Sequence, residues 1–160
     1  MEAIVKKWIE KSLFDLFHSN DTELIDRKLK EECINHRLAY YLEKNRPEQF
    51  SLYYIDLEYD KKNLVNKYIS YKGEKKHIRP DIVIHRRTSS LSDNLIAFEC
   101  KKNYLNINDK LKLISLLGNE YNYQACIGLS YQPNKPYFLI YEGVNEFQKP
   151  IRIMKDLCKL

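Results

Sequence analysis

Arg79-Pro80-Asp81-Ile82-Val83-Ile84-His85 and Asn94-Leu95-Ile96-Ala97-Phe98-Glu99-Cys100-Lys101 are the two stretches that decide how this chain folds. Each holds an apolar run of strand length with a carboxylate at one end. Side chains alternate between the faces of a strand, which predicts that Glu99 and Lys101 share a face with Leu95 and Ala97. Ile96, Phe98 and Cys100 then point the other way. If the two runs pair, Asp81 and Glu99 converge beside one lysine. Two close carboxylates raise each other's pKa unless a cation neutralises them, and a divalent metal with oxygen ligands does so. The pattern therefore predicts metal-assisted hydrolysis, with a phosphodiester as the favoured substrate. A solvated strand end also carries Glu and Lys. Against that reading, both runs are apolar enough to be central, and Pro80 limits ladder pairing beside Asp81.

Working outward, Ile4, Val5, Trp8, Ile9, Leu13, Leu16 and Phe17 recur at helical spacing and predict a helix over about 3–17. Its stripe docks on the core; a homodimer contact through Trp8 and Phe17 is the alternative use. Ser19 to Glu23 offers caps for a second helix running to about Lys44. Glu31 lies on its stripe with Ile34, Leu38 and Leu42, while Glu32 faces water. A strand is predicted over 51–59, with Tyr54, Asp56 and Glu58 on one face and Glu58 suited to a supporting or metal-ligand role. A polar turn follows at 60–63, then an extension of the hairpin over 64–71 and a loop over 72–76. Further strands are predicted at 77–87, 94–101, 123–131 and 136–142. A helix over 108–118 separates the middle two, capped by Asn106 or Asn108, with Leu111, Ile114 and Leu117 inward and Gly118 as its stop. This order is α/β, a mixed sheet covered by helices. One domain fills 1–160: an N-terminal helix (1–20), a core (21–142) and a tail (143–160) packed on that core.

Composition narrows the class. A chain of 160 residues supports one hydrophobic core, and only four glycines argue against disorder. Lys and Arg outnumber Asp and Glu by 27 to 22, giving a net charge of +5 that suits a polyanionic partner. The cysteines (Cys33, Cys100, Cys126, Cys158) form no CxxC pair and no Cys/His zinc spacing, so buried free thiols in a reducing compartment are expected. No apolar run is long enough to span a bilayer, and Lys6, Lys7, Glu10 and Lys11 interrupt any signal-peptide core. The expected location is the cytoplasm, with no membrane partner.

The two strand motifs sit in a longer series: Lys30 to Leu42, then Tyr54-Ile55-Asp56-Leu57-Glu58-Tyr59, then Arg79 to Arg87, then Asn94 to Lys102. In that order the blocks resemble the PD-(D/E)xK nuclease superfamily, in particular a largely uncharacterised bacterial branch, over about residues 24 to 141. The resemblance implies a restriction-endonuclease-like core, with a mixed central sheet in αβββαβ order and an extra N-terminal helix. It implies Asp81 and Glu99 as ligands of Mg²⁺, for which Mn²⁺ could substitute, with the Cys100 carbonyl as a further ligand. Lys101 would orient the attacking water or stabilise developing charge, and Glu31 would supply an additional carboxylate. Cys100 departs from the aliphatic residue usual at its position but leaves the backbone carbonyl available. The activity implied is endonucleolytic cleavage of nucleic acid, DNA in the favoured reading; the alternative is a silent or partner-dependent nucleic-acid-binding module of the same fold. His85 shares a face with Asp81, and Arg86, Arg87, Lys101, Lys102, Lys110 and Lys112 are expected near the strand ends, where positive charge would meet a phosphate backbone.

Overall fold

Ile82, Val83, Ile84, and every residue from Leu95 to Cys100 are buried, and their alternation forms the centre of a six-stranded sheet. The computed structural model describes residues 1–62, 65–71, 74–133, 136–142 and 151–152. Three helices open the chain: α1 (Ala3–His18), α2 (Thr22–Asp26) and α3 (Glu31–Lys44). Strand β1 (Tyr54–Leu57) precedes two short hairpins, β2 (Lys61–Lys62) with β3 (Val65–Asn66), and β4 (Tyr68–Tyr71) with β5 (Glu74–His77). Then come β6 (Ile82–His85), β7 (Asn94–Lys101), α4 (Ile107–Leu117), β8 (Ala125–Ser130), β9 (Tyr137–Tyr141) and β10 (Ile151–Arg152). The main sheet has the order β1-β6-β7-β8-β9-β10. Strands β7 and β8 run parallel with α4 as their crossover, and the other neighbours are antiparallel. The protein is a mixed α/β structure whose mixed sheet is flanked by helices.

Each face of the sheet buries its own apolar layer. Ile82, Ile84, Ile96, Phe98 and Cys100 meet α1 and α3 on one side, and Val83, Ala97 and Cys126 meet α4 on the other. Helix α1 is tied to α3 by Trp8 Nε1, which donates to the Leu42 carbonyl (2.7 Å), and by Ser12 Oγ, which donates to that of Tyr41 (3.1 Å). Trp8 stacks on Phe50 inside the chain, so it is not available as a dimer anchor.

Several expectations change. The single helix expected from 23 to 44 is two, because Lys28 adopts a left-handed backbone (φ 55°) and Lys30 an extended one. The break places Glu31 and Glu32 in the first turn of α3, where carboxylates favour the positive end of the helix dipole. Leu95 joins the α1/α3 layer rather than Ala97's face, because a register shift beside Ile84/His85 disturbs the alternation there. The inward face of α4 is Asp109, Leu113, Leu116 and Leu117, so Leu117 lies as expected, Ile114 packs against this layer only partly buried, and Leu111 gives way to Leu113 and Leu116. Gly118 ends α4 with an extended backbone, and residues 74–76 belong to a strand rather than a loop. The tail assigned to 143–160 lies outside the described residues except for Ile151–Arg152, which pair with β9. Cys33 is exposed, whereas Cys100 and Cys126 are buried free thiols; Cys158 lies outside the described residues. Among the described residues no helix is long and apolar enough to cross a membrane.

Candidate active site

Asp81 directly precedes Ile82, which pairs with Phe98, and it stands close enough to Glu99 for that charge to act on it. Asp81 is tied on both sides: its N–H donates to the Phe98 carbonyl (3.0 Å), and its own carbonyl accepts from the Glu58 N–H (2.9 Å). Pro80 has no N–H with which to continue the ladder. The carboxylate turns back on β7, where Oδ2 accepts the Cys100 N–H at 2.6 Å. Burial, and then the charge of Glu99, push the Asp81 pKa up to about 6, against the pull of the Cys100 N–H, Lys112 and Lys101.

Glu99 is only 4% exposed. Its Oε1 accepts from Lys101 Nζ at 2.8 Å, and its Oε2 from Lys112 Nζ on α4. Gly128 lies beside Glu99 in the parallel ladder, and the space a side chain would fill there is taken by Leu105 and Leu113. Lys101 also lies 3.8 Å from Asp109 and 4.0 Å from Glu31. Burial works against its charge, but Glu99, Asp81 and Asp109 together raise its pKa above the ordinary lysine value. Lys101 is therefore an ammonium at neutral pH.

Glu31 reaches this group from the other side of the sheet, at the start of α3. Its Oε1 accepts the Lys102 N–H at 2.9 Å, which fixes the carboxylate at the end of β7. Asp109 is held by a capping box at the start of α4: Asn106 Oδ1 accepts the N–H groups of Asn108 and Asp109, and Asp109 Oδ2 accepts the Asn106 N–H. Asp109 was not among the expected site residues, and Lys112 was expected only as positive charge near the strand ends, not as a partner of Glu99. The Asn106-x-x-Asp109 spacing was the available signal, with Lys112 following one turn later on the same helix face.

The structure thus gathers Asp81, Glu99, Lys101 and Glu31. The Cys100 thiol points into the α3 layer beside Tyr131, and burial pushes its pKa well up. The N–H and C=O of one strand residue face the same neighbour, so the Cys100 carbonyl is directed to the β6 side, where Asp81 lies. Glu58 does not join the group. Its left-handed backbone (φ 54°) breaks the alternation expected of a strand, and its carboxylate pairs with Arg79.

His85, Arg86 and Arg87 do not gather there either. They stand at the far end of β6, four residues or about 13 Å along the strand from Asp81. His85 Nε2 meets Asp56 Oδ2 at 2.8 Å, and Arg87 forks onto the same carboxylate while its guanidinium covers Tyr54. Arg86 covers Tyr53 and lies 3.5 Å from Asp93. Burial lowers the His85 pKa despite the Asp56 bond. Lys102 stays at the site through its N–H, and its Nζ donates to the Lys28 carbonyl at 3.3 Å. Lys110 is half-buried in the first turn of α4.

Among the described residues no three His, Cys, Asp or Glu side chains converge as a preformed metal cage. Asp81 and Glu99 nevertheless suit Mg²⁺, which is held by one or two carboxylates and otherwise keeps water or phosphate oxygens. The raised Asp81 pKa comes first from burial and then from the charge of Glu99, and a hard dication would offset both. No family model, no curated protein and no solved structure matches this chain.

Proposed function

We propose that this protein is a Mg²⁺-dependent nuclease with a restriction-endonuclease-like core that hydrolyses phosphodiester bonds, with DNA as its substrate. The observation that carries the reading is the antiparallel pairing of β6 and β7, which brings Asp81 against the Cys100 N–H and close to Glu99, with Lys101 bonded to Glu99. Asp81, Glu99 and the Cys100 carbonyl would hold the ion, with Glu31 close by; Mn²⁺ would substitute. When bound, the ion polarises the phosphate and acidifies a water ligand. Lys101, held as an ammonium by Glu99 and Asp109, acts as a hydrogen-bond donor and positive charge rather than as a base. It orients the attacking water and stabilises charge that builds on the phosphate oxygens. Lys112 and Lys102 add positive charge for the approach of a polyanion. The setting is the cytoplasm, where Cys33, Cys100 and Cys126 stay reduced.

A second reading rests on the pairing of both Glu99 oxygens with Lys101 and Lys112. If those ammonium groups serve in place of a metal, the domain binds nucleic acid without cutting it. One experiment separates the two. The pure protein is incubated with supercoiled, linear, branched and single-stranded DNA and with RNA, in Mg²⁺, Mn²⁺ or EDTA. The nuclease reading expects cleavage with Mg²⁺ or Mn²⁺, none in EDTA, and none by Asp81→Asn or Lys101→Ala. Wild-type-level cleavage by either variant would sink the assignment, and retention without cleavage in every buffer would leave the binding module.

A further inference from the structure

Lys67, between the two hairpins, is the most deeply buried lysine among the described residues, with 2% exposure. Its backbone is pinned at both ends: its N–H donates to the Asp60 carbonyl and its carbonyl accepts from Ile78. The ammonium donates to the Tyr59 carbonyl at 3.0 Å and lies over the Tyr59 ring, 4.3 Å from its centroid. No carboxylate among the described residues comes within ion-pair distance of it. An ammonium has three N–H donors, and a buried charge without a counter-ion is costly. Burial accordingly lowers the Lys67 pKa to about 8, although Asp60 and Asp56 act against the shift through space.

Lys67 borders a pocket at the His85 end of β6, remote from Asp81. Lys61, His85, Thr88, Ser89, Ser90 and Asn94 line it as well, beside Tyr59 and Tyr121, and among the described residues no carboxylate does. The neighbouring carboxylates are already engaged: Asp56 by His85 and Arg87, Asp60 by Lys61 (3.9 Å) and His77 (3.5 Å), and Asp93 by Thr88 and Arg86 (3.5 Å). What the pocket offers is the Lys67 ammonium, whose one protein acceptor among the described residues is the Tyr59 carbonyl, the Lys61 ammonium, which also donates to Asn66, and the hydroxyls of Ser89 and Ser90, the latter shared with Ser92. Thr88 and Asn94 already donate to Asp93 and to the Tyr121 carbonyl. That set of donors suits a compact oxyanion with several oxygens better than a cation or an apolar group.

From this geometry we infer that the pocket between Lys67 and the Thr88–Ser90 loop is a binding site for a phosphate dianion, either free or as a terminal phosphate monoester. Lys67 supplies the desolvated charge, Lys61 adds a second from the rim, and the Ser89 and Ser90 hydroxyls bond the remaining oxygens. The site is separate from the Asp81–Glu99 group, so it stands or falls independently of the nuclease reading.

Calorimetry on the full chain at constant ionic strength tests it, with inorganic phosphate, a nucleoside 5′-monophosphate and acetate as titrants. The expected result is phosphate binding that weakens about tenfold or more in Lys67→Met and in Lys61→Ala, while plasmid cleavage by both variants stays at the wild-type level. A monophosphate that binds more tightly than phosphate identifies a nucleotide terminus as the source; equal affinity identifies free phosphate. Should Lys67→Met fail to fold, protection of wild-type Lys67 from amine acetylation by added phosphate, read by mass spectrometry, takes its place. Acetate competing as well as phosphate would overturn the inference. So would undiminished binding by the variants, or no heat up to about 10 mM phosphate, which is weaker than a built site gives.

Discussion

Replacing Asp81 with Asn should make the metal-free protein more stable at pH 8 while removing its catalysis. In the folded chain the Asp81 pKa stands at about 6 instead of 3.8, because burial and Glu99 both disfavour the ionised form. A group whose folded pKa is raised contributes stability that is complete below its unfolded pKa and is lost as the pH climbs through the folded one. The wild type therefore loses stability between about pH 4 and 6, and carries the burden of an ionised Asp81 at pH 8. The raised pKa corresponds to at most about 3 kcal/mol, and to about 1–2 kcal/mol once partial solvent access is counted. Asn keeps an oxygen to accept the Cys100 N–H, so the 2.6 Å bond survives and only the charge is lost. Ala would lose the bond as well, at a cost of about 1–3 kcal/mol, and should show no net gain. Urea unfolding in EDTA, followed by fluorescence of Trp8, the single tryptophan, measures the difference. The Asp81→Asn variant should match the wild type near pH 4 and exceed it at pH 8, and Mg²⁺ should narrow the gap by binding the folded wild type alone. A difference that is flat across the range, or a variant no more stable at pH 8, would refute the reasoning.

Two further substitutions probe what holds the site in place. Gly128→Ala would put a Cβ 2.7 Å from Leu105 Cδ1 and 3.2 Å from Leu113 Cδ1, beside Glu99. These are side-chain tips that can shift, so the expected cost is about 1 kcal/mol, at the low end for overpacking, seen as a Tm lower by about 2–4 °C. Asn106→Ala removes the acceptor of two N–H groups at the start of α4 and should cost about 1 kcal/mol in thermal unfolding. It should also slow cleavage less than Lys101→Ala does, since it loosens Asp109 without removing the ammonium that Asp109 helps to hold.

Local pattern was enough to place much of this molecule. The alternation in Leu95–Lys101 is resolved nearly residue by residue in β7, and the apolar stripe of α1 faces the core. Asp81, Glu99 and Lys101 were legible because each sits at the end of a strand whose partner is nearby in sequence. The break at Lys28 was not, since nothing in a lysine announces a left-handed backbone. Nor could alternation place His85 correctly: it reports which face a residue takes and says nothing of which end of the strand it occupies, so a residue on Asp81's face became a neighbour of Asp56 instead. The same limit hid Asp109 and the pairing of Lys112 with Glu99, which arise only because the β7–α4–β8 crossover folds the helix back over the sheet. Nothing in the sequence sets Lys67 apart from its neighbours; only packing removes it from water. Periodicity and strand-end chemistry act over a few residues and can be read from the chain itself; burial and the meeting of distant charges depend on how the layers close, and only the tertiary structure decides them.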